Sequence, residues 1–215
     1  MLSKMRCAQR GITLTETLLA VMVSILMLVW MGEMQAQSME DLRAKNTAEY
    51  YQAVNTLAQQ YFKTNRAALI AAMDTGASAS TWCTENNTVK KLCAANIARL
   101  KSNSGAPTWF NDFNPYNQTT IIAYRLVNAS SGSTEILIYG AANGTNHKII
   151  QNTSSSLASQ LMGGNGGMIP AQATGACATT EACGVFGGWK ATLNNFSHGT
   201  ATPLVGSVAS YAYML

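Results

Sequence analysis

Few charges, few prolines and only two histidines distinguish this 215-residue chain, and each shortage removes a class of function. Charged residues make up 11% of the chain, with 14 bases against 10 acids. Lys4, Arg6 and Arg10 all fall in the first ten residues. Taking those three from 14 leaves 11 bases against 10 acids. No basic stripe remains to hold phosphates, so nucleic acid is not an expected partner. His147 and His198 stand in polar stretches, without the cysteine or acid spacing of a zinc site. No cofactor or metal is expected. There is no GxSxG sequence and no local acid–base pair. The run Gly163-Gly164-Asn165-Gly166-Gly167 fails the GxGxxG pattern, because Ile169 stands three residues beyond Gly166. It reads as a turn, and the chain is not expected to be an enzyme. No internal repeat is present.

Helix breakers are also scarce where they would matter most. No glycine lies between Gly32 and Gly76, and the first proline is Pro107. From Ile12 to Met31 the chain is apolar, interrupted only by Thr13, Thr15, Glu16, Thr17 and Ser24. As a helix those residues span roughly 30 Å, the thickness of a bilayer's hydrocarbon core. Positive charge before the run alone predicts that end in the cytoplasm. The helical pattern then continues: Tyr50, Val54, Leu57, Ala58 and Tyr61 recur at helical spacing, widened by Tyr51 and Phe62. Glu49, Gln52, Asn55, Gln59 and Lys63 make the opposite, polar face. One helix from Ile12 to about Lys63 is roughly 80 Å long.

Downstream, Ala67–Met73 reads as a short helix ended at Asp74-Thr75-Gly76, and Thr88–Leu100 as a weaker one. Thr119–Val127 and Thr134–Tyr139 read as a hairpin, with a helix from about Ser155 and last strands in Val185–Leu193 and Val205–Met214. The expected fold class is α+β. A long N-terminal helix, membrane-spanning in its first half and amphipathic in its second, packs on a C-terminal antiparallel sheet. Residues 1–11 form a leader, 12–32 the transmembrane and assembly helix, and 33–215 a globular domain that includes the helix's second half.

Five cysteines complete the composition. Cys7 lies in the leader. Without it an even set remains, Cys83, Cys93, Cys177 and Cys183, as expected of an oxidising compartment and two disulfides. Local closure orders the least chain and favours Cys83–Cys93 with Cys177–Cys183. Four cysteines allow three connectivities, and the spacing excludes none.

The most informative segment is Arg10-Gly11-Ile12-Thr13-Leu14-Thr15-Glu16, followed by Leu18 to Trp30. A secretory signal is cut after its apolar run; here a glycine precedes the run. An anchor alone does not account for Glu16, since a carboxylate at mid-bilayer costs roughly 2.5–3.5 kcal/mol on insertion scales, and less near an interface. A cut between Gly11 and Ile12 creates an α-amine four residues from Glu16. In a low dielectric the two charges have strong reason to pair, within one helix or between neighbours.

This combination resembles the prepilin-peptidase signature of type IV pilins and pseudopilins. The resemblance implies cleavage after Gly11, methylation of the new N-terminus at Ile12, and assembly governed by Glu16. It implies a prepilin peptidase and other pilin subunits as partners, in a homo- or hetero-oligomeric fibre. It places the precursor in the bacterial inner membrane and the mature chain in a cell-surface pilus. Ile12 stands where Phe or Met is usual, Thr15 where an aliphatic residue is usual, and no proline follows in the helix, which leaves Gly32 its weak point.

A second resemblance joins Gly163–Pro170 and Gly187-Gly188-Trp189 to the pilin-domain end of PilV-type (type IVb) minor pilins of conjugative thin pili. In those proteins a variable receptor-binding segment follows. Here 26 residues follow Trp189, so the resemblance implies the pilin domain alone. The expected role is a minor pilin that initiates or tips the fibre. The alternatives are a type II secretion pseudopilin and a pilus-tip adhesin binding a recipient or host cell surface.

Overall fold

The computed structural model describes residues 14–215 except 104 and 146. In chain order the elements are α1 (Leu14–Thr64), α2 (Arg66–Thr75), α3 (Ala79–Trp82), β1 (Glu85–Asn87), β2 (Leu92–Asn96), α4 (Ile97–Ser102), β3 (Thr119–Asn128), β4 (Ser133–Ala141), α5 (Asn152–Leu161), β5 (Gly166–Ile169), β6 (Glu181–Gly184), β7 (Lys190–Thr192) and β8 (Ser207–Met214). The fold is α+β. Asp41–Leu215 forms one compact unit, and the chain before Asp41 forms another.

Within the larger unit an eight-stranded sheet runs β1-β2-β3-β4-β8-β5-β6-β7, with its pairs antiparallel. Each face of the sheet carries its own core. On the inner face, Ala44, Ala48, Tyr51, Val54, Ala58, Tyr61 and Phe62 of α1 pack with Cys93, Ile122, Tyr124, Ile136 and Ile138. Phe62 stacks on Tyr124 at 5.9 Å, and the Tyr124 hydroxyl donates to the Ala58 carbonyl at 3.1 Å. The outer face gathers Leu92, Ala123, Leu137 and Tyr139 with Ala182, Ala191, Leu193 and Phe196 from the chain around β6 and β7. The Tyr139 hydroxyl lies 2.9 Å from both the Phe196 and Ala201 carbonyls and anchors this outer layer.

The absence of breakers does produce one uninterrupted helix over Leu14–Thr64, and Gly76 at φ 77° caps α2. The buried stripe of α1 is rotated from the expected one. Tyr50 and Leu57 are half-buried, whereas Asn55, assigned to the polar face, is buried and accepts from Gln59 Nε2 at 3.2 Å. The buried surface begins earlier, at Ala44, Thr47 and Ala48.

Thr88–Leu100 is not a helix. Residues 88–91 turn, with Lys91 at φ 49°, and Leu92–Asn96 is a strand. Its residues Leu92 to Ala95 are fully buried, alternating between the two cores, so sheet pairing overrides the helix propensity of the Leu/Ala-rich run. The helix starts only at Ile97, where the Asn96 side chain accepts from Arg99 N at 2.9 Å. The glycine run is likewise only partly a turn: Gly163–Asn165 coils as a 3₁₀ turn, but Gly166 and Gly167 open β5. In Val185–Leu193 only Lys190–Thr192 is a strand, and the residues before it turn between β6 and β7. Helix α5 starts at Asn152 rather than near Ser155.

Gly166 and Gly167 are adjacent in a strand, so their missing side chains face opposite ways. A Cβ on Gly166 would meet the Ser159 carbonyl of α5; one on Gly167 would meet the Trp189 indole. Gly184, the register partner of Gly167, would also strike Trp189. The indole therefore lies over a bed of two facing glycines and stacks on Tyr211 at 5.2 Å and 21°. Gly167→Ala is expected to lift Trp189 from this bed. The expected cost is about 1–3 kcal/mol, with a changed tryptophan near-UV dichroism. Gly164→Ala, where a Cβ meets nothing, should stay within about 0.5 kcal/mol of wild type. Equal midpoints for the two variants in chemical denaturation would show that the bed is not tight.

Candidate functional site

Helix α1 carries the features singled out in the sequence. Every residue from Leu14 to Met39 is exposed, and the helix is long and apolar enough to cross a membrane. Its hydroxyls are largely satisfied by its own backbone. Thr17 Oγ1 donates to the Leu14 carbonyl and Ser24 Oγ to the Ala20 carbonyl, each at 2.8 Å. Such side chains add little polar cost in an apolar medium. Between Leu14 and Gly32 the one ionisable side chain is Glu16. It lies in the first turn of α1, where the helix dipole favours an anion. Gly11 and Ile12, the expected cleavage and methylation positions, lie outside the described residues, as do the rest of the leader and Cys7.

A sheath of Leu, Ile, Val, Met and Trp side chains such as Leu26, Leu28 and Trp30 is not stable against water at this extent. Lipid tails or other apolar helices would cover it. Gly32 breaks the sheath. A Cβ there would meet nothing within 4 Å, so no packing within the chain requires glycine, and the residue weakens the helix by roughly 0.5–1 kcal/mol relative to alanine.

The four remaining cysteines form two separate bonds. Cys83–Cys93 ties the end of α3 to β2, and Cys177–Cys183 closes a short ring before and within β6. Loop-closure entropy gives each bond roughly 2–3 kcal/mol. Cys177, Glu181 and Cys183 also gather their ligand atoms within 4.8 Å. Both sulfurs are consumed by the bond, and the Glu181 carboxylate is taken by Lys190 Nζ at 2.8 Å and Ala178 N at 3.1 Å. The Lys190 ammonium holds the Glu181 carboxyl below its usual pKa. This is a structural staple.

Two polar arrangements stabilise the domain and were not visible in the sequence. The first is buried. Asn114 Nδ2 donates to Gln118 Oε1 at 2.9 Å, and Gln118 Nε2 donates to the Lys148 and Gly206 carbonyls at 2.7 and 3.2 Å. Asn114 Oδ1 accepts from Tyr116 N and Gln118 N, each at 3.0 Å. One cluster thus fixes three separate stretches of chain. The second arrangement closes the curled sheet. Lys90 Nζ donates to the Asn194 and Ser197 carbonyls at 2.7 and 3.0 Å. Asn87 meets His198 Nδ1 at 3.1 Å. Glu85 accepts from the Thr200 hydroxyl at 2.7 Å, a bond that lowers its carboxyl pKa. His198, which stands in a polar stretch of the sequence, thus belongs to a seam between β1 with its following turn and the segment after β7.

No family model, curated protein or solved structure matches the chain.

Proposed function

We propose that this chain is a structural subunit of a type IV pilin-class fibre. It is held in the inner membrane by α1, cut between Gly11 and Ile12 by a prepilin peptidase, and assembled through that helix with other pilin subunits. The observation that carries the reading is the exposed run Leu14–Met39, whose charged residues are Glu16 and Glu33 alone. It continues as one helix into a domain stapled by two disulfides. A plain anchor accounts for the apolar run. It does not account for an acid one turn from the start, or for a helix that runs on unbroken into the domain's core. Of the residues that resemble a PilV-type minor pilin, Gly166, Gly167 and Trp189 have packing roles here, so these do not by themselves argue for a place at the tip.

The mature chain is expected to begin at Ile12. Gly11→Ala should be cut at least in part, and a large residue at that position should block the cut. N-terminal sequencing and intact mass of the membrane form check this. A mature start beyond Met31 would make the chain an ordinary secreted protein and end the fibre reading.

A further inference from the structure

Asparagine is followed by glycine twice in the chain, at Asn143-Gly144 and at Asn165-Gly166. The dipeptide is reactive where the backbone can bend. The glycine's main-chain nitrogen can close a five-membered ring on the asparagine amide carbon, and glycine has no Cβ to hinder the approach. The fold treats the two pairs in opposite ways.

Asn165-Gly166 is locked. Gly166 N donates to the Gly163 carbonyl, and Gly166 is buried in β5, in register with Ser210 of β8. Ring closure there first requires that part of β5 to open.

Asn143-Gly144 is open. Strand β4 ends at Ala141, so no ladder bond holds the pair. Gly144 is exposed, stands at φ 53°, and a Cβ on it would meet nothing within 4 Å. Among the described residues, neither its main-chain nitrogen nor the Asn143 side chain has a hydrogen-bond partner. His147 Nδ1 lies 2.9 Å from the Gly144 carbonyl. A carbonyl only accepts, so Nδ1 is the donor. The contact holds the turn by its oxygen and does not occupy the nitrogen.

We propose that Asn143 is a site of spontaneous covalent modification: deamidation through a succinimide closed by Gly144, with water as the co-reactant. The Gly144 nitrogen bonds to Asn143 Cγ and gives up its proton. The Cγ–Nδ2 bond breaks, and Nδ2 leaves with that proton as ammonia. Water then opens the ring at either carbonyl. Opening at Cγ leaves aspartate; opening at the main-chain carbonyl leaves isoaspartate, whose backbone runs through Cβ and Cγ. The net change is water in and ammonia out, with no oxidation. Either product places an anion close in sequence to His147 and Lys148. Isoaspartate also lengthens the main chain between β4 and Lys148, whose carbonyl anchors Gln118. The inference stands apart from the fibre reading.

The test ages full-length chain in detergent in mildly alkaline buffer, beside the same chain reduced and unfolded in urea. Peptide mapping by mass spectrometry follows both asparagines, and enzymatic methylation of isoaspartate measures that product. In the folded chain Asn143 is expected to convert at least about tenfold faster than Asn165, which reacts only through local opening. In urea the difference should vanish. Asn143→Gln, which would have to close a larger ring, should remove the isoaspartate signal at this position and leave Asn165 as in wild type. Equal rates at the two sites in the folded chain would overturn the proposal. So would a folded chain whose Asn143 stays intact over the time in which it converts in urea.

Discussion

Glu16→Gln is expected to leave the chain cleaved, membrane-inserted and disulfide-bonded, yet remove it from sheared fibres. Glu16 lies in the unit before Asp41, and the compact unit from Asp41 onward holds both cores and both disulfides. Folding of that unit should therefore not sense the change. In a bundle of apolar helices, the carboxylate and the α-amine that the proposed cut would create at Ile12 are the charges that would need each other. Removing one member of a buried ion pair costs typically about 3–5 kcal/mol, because the other is left without a partner. Even after a generous discount for water near the interface, the loss exceeds about tenfold per docking step. Glutamine keeps the shape and loses the charge, so it separates electrostatics from packing better than alanine does. Fibre content by immunoblot, alongside membrane content and non-reducing mobility, reads the outcome. Normal incorporation of Glu16→Gln would show that the acid is not the assembly group.

Gln118→Met should be the most destabilising conservative change in the domain. Gln118 is fully buried, and its amide serves three partners: Asn114 Nδ2 and the Lys148 and Gly206 carbonyls. Methionine fills nearly the same volume and offers none of these bonds. Each buried polar group left without a partner costs about 1–3 kcal/mol, and the three belong to one network, so the sum is not simply additive. A loss of about 3–5 kcal/mol is expected, or roughly 10 °C in the melting temperature of a domain this size. Near Gln118 a Cβ on Gly140 would meet the amide itself, so the pocket is built around this side chain. Gln60→Met, on the exposed face of α1, should stay within about 0.5 kcal/mol of wild type. Melting of detergent-solubilised full-length chain by far-UV dichroism compares the two. Equal melting temperatures would mean that water replaces the lost bonds.

How much of this was legible in the sequence depended on the range of the interactions involved. Helix α1 could be read because glycine and proline are absent over a long stretch and apolar residues recur at helical spacing; both are local facts. The β3–β4 hairpin was legible for the same reason, through its Ile- and Tyr-rich strands around Asn128–Ser133. Glu16 stood out because a single acid in an apolar run needs no partner to be noticed. Strand β1 could not be read: Glu85-Asn86-Asn87 has poor strand propensity and is held by pairing with β2 and by Thr200 and His198. Strand β2 was mistaken for helix because its Leu/Ala-rich residues favour one in isolation. Gln118 and Asn55 look like surface residues until distant chain covers them.

The position of β8 constrains the order in which the chain can be built. The last strand to emerge is not at an edge; it pairs with β4 on one side and β5 on the other. Before it arrives, β1–β4 and β5–β7 are two separate small sheets with no hydrogen-bonded neighbour between them. Each half holds its own disulfide, one from Cys83 to Cys93 and the other from Cys177 to Cys183. Oxidation can therefore proceed in either half before the whole is joined, without trapping a cross-link between halves. The central edges stay open until the C-terminal residues are in place, so the chain is most exposed to mispairing before that point, and a stop codon just before Ser207 would leave two stapled halves and no continuous sheet.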